Sequence, residues 1–378
     1  MKPLRGSIGY LFAARLVINT GYRFVFPFLP AISRGLGVSL EQAGLLVSAR
    51  SLTGVATPLV VSAIGRGERR VRLTVGGALL FAAGAAVTAA AGLYAGALAG
   101  FILMGLGKPA FDAAAQAYIA DRTPYEKRAR YLSIIEFTWA GGLLVGAPAA
   151  GVLIDRWGWE SPFWVTAALV GVGALLAPLL LDADARGRVA RPGRLRITRS
   201  AVAVLAMTLL FSLAAETTII VYGAWLEDEF ALSLAALGIA STVIALAEMA
   251  GEGAVLAFAD RIGKRRMVAF GLAVSAAGYL TLGAVGGGLI PGLIALSIAF
   301  IAFEITIVAT IPLATEVVPA ARSRYLALLT VAISLGRAAG DALGPVLFEW
   351  RGLAANTTVS AIAGVASLVV LLAFTEPE

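Results

Sequence analysis

Long apolar stretches separated by short polar connections run the whole length of the chain. They cover about 8–33, 41–64, 72–93, 95–120, 131–154, 161–181, 200–226, 234–259, 267–288, 290–315, 325–348 and 354–375, twelve in all. A helix of about 20 mostly apolar residues crosses a hydrocarbon core roughly 30 Å thick. The stretches are rich in Ala, Leu and Gly and do not alternate in polarity, which selects helices over barrel strands. The pattern predicts an all-α membrane protein with twelve transmembrane helices. Arg15 interrupts the first stretch, and no small-residue cleavage site follows before Pro27 and Pro30. The first helix is therefore expected to be a span, not a cleaved signal peptide.

Composition agrees. The chain is 59% hydrophobic and 14% charged, where a soluble domain carries about 25% charge. Cysteine and histidine are both absent, which excludes disulfides, Cys/His metal sites, Ser-His-Asp triads and thiol nucleophiles. No metal, cofactor or enzymatic chemistry is expected. The run Gly105-Leu106-Gly107-Lys108-Pro109-Ala110 imitates a dinucleotide fingerprint but lies inside a span with no strand before it. No G-x-x-x-x-G-K-[ST] loop is present to couple the chain to ATP.

Most of the 30 Lys and Arg residues fall at one set of helix ends, with the N-terminus and the central 182–199 segment. The other ends hold Arg34, Arg156 and Arg351, together with Trp157, Trp159, Trp164, Trp225 and Trp350. Positive residues stay cytoplasmic, so both termini are expected inside and the tryptophans at the outer interface. The net charge of +7 is spread over short loops, which argues against a nucleic-acid partner.

The chain also repeats itself. Arg128-Ala129-Arg130-Tyr131-Leu132 recurs as Arg322-Ser323-Arg324-Tyr325-Leu326, an offset of 194. At that offset Gly142 and Gly146 fall on Gly336 and Gly340, and Ser39-Leu40 and Gly44 on Ser233-Leu234 and Gly238. With two residues gained, Gly67, Arg69 and Arg70 fall on Gly263, Arg265 and Arg266. These matches divide the chain into six-helix halves, 1–181 and 200–378, joined by the Arg-rich linker 182–199.

In these residues the chain resembles the major facilitator superfamily of twelve-helix secondary transporters. The family signature between the second and third helices of a half runs roughly G-x-x-x-D-R-x-G-R-R. Asp260-Arg261-Ile262-Gly263-Lys264-Arg265-Arg266 matches it without the leading glycine. In the first half, Ile64 replaces the aspartate ahead of Gly65-Arg66-Gly67-Glu68-Arg69-Arg70. The resemblance implies a gating loop at Asp260, Arg261, Gly263, Arg265 and Arg266 that holds the halves together in one state. Gly142-x-x-x-Gly146-x-Pro148-x-x-Gly151 is similar to the family's antiporter motif, with Ala147 in place of a glycine. Gly21, Pro27 and Pro30 are spaced as in its drug/proton antiporters, whereas Phe101 stands where an arginine usually opens the fourth helix.

Charges inside a bilayer cost about 2.5–3.5 kcal/mol each on insertion scales, so those within spans mark function. The basic ones are Arg15, Arg23, Arg50, Lys108 and Arg337; the acidic ones are Asp112, Glu136, Glu216, Glu248, Glu252, Glu304 and Asp341. They occupy helices 1, 2, 4, 5, 7, 8, 10 and 11, and none lies on helices 3, 6, 9 or 12. Every third helix is thus expected to face lipid. Arg15, Asn19 and Arg23 form one stripe on the first helix. Lys108 with Asp112, and Arg337 with Asp341, are spaced to pair within their helices. Glu248 and Glu252 share a face with no adjacent base. Two carboxylates one turn apart in low dielectric do not both ionise easily. Glu248 is therefore the first candidate for proton coupling, with Glu252, Glu216, Glu304 and Asp341 behind it. Arg15, Asn19, Arg23, Arg50, Lys108, Asp112, Glu136, Trp139 and Arg337 are candidates for a substrate cavity. The competing expectation is that these arginines pair across the cavity with second-half glutamates. Glycines at Gly141, Gly142, Gly146, Gly151, Gly336, Gly340 and Gly344 supply close helix contacts, with Pro148 and Pro345 placed to kink them.

The expected activity is export of amphipathic small molecules by proton antiport across a prokaryotic inner membrane, by a monomer in the lipid bilayer. The alternatives are a symporter or uniporter for an organic anion, and a lipid or lysolipid flippase.

Overall fold

The computed structural model describes residues 4–56, 70–182 and 197–375, which are almost wholly helical and contain no β-strand. The first half comprises α1 (Leu4–Arg23), α2 (Leu29–Leu36), α3 (Leu40–Leu52, continued by a 3-10 turn over Thr53–Ala56), α4 (Arg70–Ala89) and α5 (Tyr94–Arg122). It continues with α6 (Tyr125–Glu136), α7 (Thr138–Leu144), α8 (Gly146–Trp157) and α9 (Ser161–Leu180). The second half comprises α10 (Arg199–Ile219), α11 (Tyr222–Phe230), α12 (Leu234–Ile262), α13 (Lys264–Val285), α14 (Leu289–Val317), α15 (Arg322–Arg351) and α16 (Leu353–Phe374). Among the described residues, 10 helical runs are long and apolar enough to cross a membrane, and they correspond to the third to twelfth predicted spans. The remainder of the second span, the loop at 65–69 and the linker residues 183–196 lie outside the described residues.

Several predicted spans are broken helices. The first divides at 24–28 because Pro27 lacks an N–H and pushes Phe26 away from helical geometry. Pro30 then sits in the first turn of α2, where a missing N–H costs nothing. One repeat length later, α10 gives way to α11 across the β-branched run Ile219, Ile220 and Val221. The fifth span divides at Phe137 and again at Val145, the second break lying three residues ahead of Pro148. By contrast α15 runs uninterrupted through Pro345.

The repeated Ser-Leu pair is a helix start in both halves. Ser39 caps α3 in a capping box with Gln42, and the Ser233 hydroxyl accepts from the Ala236 amide at the start of α12. The repeated glycines serve a repeated contact. A Cβ at Gly142 would come within 2.9 Å of the Asn19 carbonyl carbon on α1, and one at Gly336 within 2.8 Å of Ser212 Cβ on α10. In each half a glycine face thus lets the fifth helix close on the first.

Helices α4, α9, α13 and α16 are the third helix of each group, and they present apolar side chains outward, among them Leu79, Leu169, Leu175, Phe270, Leu280, Ile362 and Val369. At the end away from the termini the halves are pressed together. There Gly238 on α12 approaches Ala147 and Pro148, Gly44 on α3 approaches Pro345, and Arg34 Nη1 lies 2.7 Å from Glu227 Oε1.

Candidate functional site

Three connected cavities occupy the space between the halves. The first, about 470 Å³, is lined by Tyr22, Arg50, Ser51, Lys108, Asp112, Gln116 and Trp139 from the first half and by Thr330, Ser334 and Arg337 from α15. Its lining extends to Ser323, an exposed residue near the start of α15, so it reaches the surface at the end that carries both termini. The second, about 700 Å³, lies between α6 and α7 on one side and α12 and α14 on the other. Its wall combines Phe137, Leu256, Phe303 and Ile311 with the carboxylates of Glu136, Glu252 and Glu304. The third, about 20 Å³, surrounds Arg23, Glu216, Tyr222 and Glu248. Trp139 and Arg337 border all three.

On the first-half wall the charges form one network. Arg15 Nε donates to Asp112 Oδ1 at 2.9 Å, and its Nη1 lies 3.0 Å from Glu136 Oε1. Lys108 Nζ reaches Asp112 Oδ2 at 2.5 Å, the within-helix pair that the spacing predicts. Gln116 Nε2 donates to Glu136 Oε1 at 3.0 Å. Asn19 does not reach the cavity: its amide donates to the Thr138 hydroxyl at 3.0 Å, tying α1 to α7 in a fully buried position.

The halves meet through charge at the cavity floor. Arg23 grips Glu248 with both ends of its fork, Nη1 to Oε2 at 2.7 Å and Nη2 to Oε1 at 2.5 Å. Both residues are buried, and the guanidinium lies 4.4 Å from the centre of the Trp139 ring. This corrects the reading of Glu248 and Glu252 as a couple without a base. Glu248 is neutralised across the cavity, and helical spacing within α12 carried no sign of it.

A second correction concerns Arg337. Its Nε lies 3.0 Å from Glu216 Oε1 on α10, so it pairs there and not with Asp341 in its own helix. The reason is close packing, because a Cβ at Gly340 would fall 2.8 Å from Glu216 Cβ. Asp341 instead accepts a 2.6 Å hydrogen bond from the Ser51 hydroxyl of α3, a further polar contact between the halves. Its Oδ1 has no partner, and neither has Glu304 Oε1. Among the described residues no basic group lies within ion-pair distance of Asp341, Glu252 or Glu304.

The gating-loop positions are partly visible. Gly263 separates α12 from α13 with φ of 89°, a conformation that favours glycine. Arg265 donates to the Thr375 hydroxyl at 2.7 Å and to the Leu372 carbonyl at 3.2 Å, and Lys264 pairs with Glu316. These contacts join elements of the second half. Arg261 and Arg266 are exposed, and the Asp260 side chain lies outside the described residues.

Tyr22, Ser51, Gln116 and Tyr222 line or brace the site and were not expected from the sequence. Tyr22 and Ser51 flank Arg23 and Arg50 in the chain, the one signal that points to them. Phe101 packs with its ring centre 5.5 Å from the Arg50 guanidinium.

Two six-helix halves around a charged cavity, open at one end and closed at the other, define an integral membrane transport protein. The family model of the Major Facilitator Superfamily matches residues 11–214 and 204–378, and the chain belongs to that family. Over 282 residues it is 27% identical to the class C tetracycline resistance protein of Escherichia coli, covering 69% of each chain. It is 31% identical over 166 residues to the uncharacterized transporter YgaY of Escherichia coli O157:H7, a match that spans 43% of this chain and 41% of that protein. A chloramphenicol resistance protein of Streptomyces lividans is 29% identical over 160 residues, covering 42% and 41%. In fold the chain is similar to the crystal structure of a bacterial homolog of the human lysosomal transporter Spinster, in an inward-facing and unoccupied conformation. The TM-score is 0.75 at 15% identity, over 99% of this chain and 96% of that one.

Proposed function

We propose that the chain is a proton-coupled secondary transporter that exports amphipathic compounds by alternating access. The halves 1–181 and 200–378 would rock about the cavity as a monomer, with 182–199 as their tether. The observation that carries this reading is the pair Asp341 and Glu304, buried carboxyls with no cation at ion-pair distance among the described residues. Glu304 borders the cavity of about 700 Å³, and Asp341 is bonded to Ser51 in the lining of the cavity that reaches one end of the bundle. An unpaired carboxyl gains and loses a proton without breaking an ion pair, which is what a coupling group must do. Glu248, held by Arg23, fits a structural latch better than a proton carrier.

The positive-inside distribution assigns the open end to the cytoplasm, the side from which an exporter loads. The helix-five Gly/Pro motif and the drug-resistance names of two relatives support efflux. Transport into proteoliposomes of the purified chain, with tetracycline as substrate and an imposed pH gradient, tests the proposal. Asp341→Asn is expected to lose gradient-driven accumulation while keeping substrate exchange without a gradient, and Glu304→Gln to reduce accumulation. Gradient-driven accumulation at wild-type level in both variants would overturn it.

A further inference from the structure

Arg15, Arg23, Lys108 and Arg337 each have a carboxylate at ion-pair distance, and Arg50 has none among the described residues. Arg50 is also among the most buried side chains, 1% exposed. Its Nη1 donates to the Tyr22 carbonyl at 2.8 Å, while Nε and Nη2 have no hydrogen-bond partner. The Nε and Nη2 hydrogens leave the guanidinium along one edge, so the unpartnered donors form a fork suited to two oxygens of one anion. The guanidinium lies 3.7 Å from the Tyr22 ring centre and within 5.6 Å of those of Phe26 and Phe101. Aromatic faces stabilise a cation but accept neither of these N–H groups in line. Its charge is offset only at longer range, by Asp341 and Glu216, neither of which reaches it at ion-pair distance. An arginine buried without a directly bonded carboxylate is costly to keep, and this one borders the 470 Å³ cavity beside Ser51, Lys108 and Ser334.

We infer that Arg50 is a recognition site for an anionic head group, a carboxylate or phosphate carried on an apolar body. The anion supplies the hydrogen-bonded partner that Asp341 and Glu216 do not, docking on the Nε/Nη2 edge. The body lies in the cavity against Trp139 and Ile333. This rests on the transport reading in taking the cavity as the substrate site, but it concerns binding, which is measurable without transport.

The test is calorimetric titration and thermal unfolding of the full chain in a neutral detergent. The probes are 4-phenylbutyrate, lauroyl lysophosphatidate and, as a cation of similar body, 4-phenylbutylammonium. At least one anion is expected to bind and raise the unfolding midpoint while the cation does not. Arg50→Gln should weaken that binding about tenfold or more, as the loss of charge-assisted hydrogen bonds implies. Arg50→Lys keeps the charge without the fork and should fall between, which preserves the test if the glutamine variant does not fold. Phenylbutyrate alone would support a soluble organic anion, and lysophosphatidate alone a lipid head group. Failure of both anions to bind, binding of the cation as tight as theirs, or wild-type affinity in Arg50→Lys would overturn the inference. If that happens while pH-driven tetracycline transport persists, the anion site falls and the transport reading stands.

Discussion

The two walls of the cavity are built on one six-helix plan and handle charge in opposite ways. On the first-half wall Arg15, Lys108, Asp112 and Glu136 are knitted into a single network, and one cation, Arg50, is left over. On the second-half wall Arg337 engages Glu216, and among the described residues the carboxyls of Glu252, Glu304 and Asp341 have no basic partner at ion-pair distance. A wall whose charges are mutually satisfied can be rigid through a transport cycle. One with spare carboxyls has groups free to change protonation. One scaffold thus carries two charge patterns, and under the proposed function the carboxyl-rich wall would be the one that handles protons.

The largest effect that separates the walls should come from the bond that joins them. Arg23 and Glu248 are both buried and doubly hydrogen-bonded, so Arg23→Met strands a carboxylate in a dry floor. Removing one partner of such a pair costs about 3–5 kcal/mol, whereas replacing both by apolar residues is often neutral. Arg23→Met should lower stability by that amount in unfolding measurements in detergent, and Arg23→Met with Glu248→Leu should regain most of it. Equal loss in the single and double variants would show that Arg23 acts through its contacts with Trp139 and not through the ion pair. Asp341→Asn, which breaks no ion pair at contact distance, should lower stability by much less than Arg23→Met in the same measurement.

The walls should respond alike where only packing is at stake. Gly142 and Gly336 occupy equivalent places, one against Asn19 and the other against Leu209 and Ser212. Overpacking a close contact typically costs about 1–3 kcal/mol. Gly142→Val and Gly336→Val should therefore destabilise by similar amounts within that range, and Gly253→Val, with no atom within 4 Å of an added Cβ, by much less. A large difference between the first two would mean that the halves are less equivalent in packing than their repeat implies.

The sequence carried the spans and the repeat, because each is a property of one helix read alone or of two segments compared. It carried Lys108–Asp112 for the same reason, since both residues lie on one helix. Arg23–Glu248 meets the competing expectation that first-half arginines pair across the cavity with second-half glutamates. The particular partners in Arg23–Glu248, Arg337–Glu216 and Ser51–Asp341 were not legible, because each pair joins different helices and no spacing rule reaches across a helix interface. Arg337 illustrates the point: Asp341 is near in sequence, but Gly340 draws Glu216 closer in space. The broken first helix was signalled by Pro27 and Pro30, while the matching break before Tyr222 has only a β-branched run to mark it.

The smallest effect is expected where the halves touch through exposed charge. Arg34 and Glu227 bridge α2 and α11 at the closed end with a 2.7 Å contact, but the Arg34 side chain is 59% exposed. Such pairs contribute about 0–1 kcal/mol, screened by salt. Arg34→Ala should leave unfolding in detergent within that range, and salt should shrink the difference further. Under the proposed alternating access, its effect on the balance between open and closed ends should exceed that on folding, because the bond present here would have to break for this end to open. Fluorescence of a probe placed near Arg34 would read that balance directly. A shift toward opening at this end in Arg34→Ala, larger at low salt than at high salt, would make the pair a latch. No shift at either salt concentration would assign closure to the other contacts between the halves, among them the close approaches at Gly44 and Gly238.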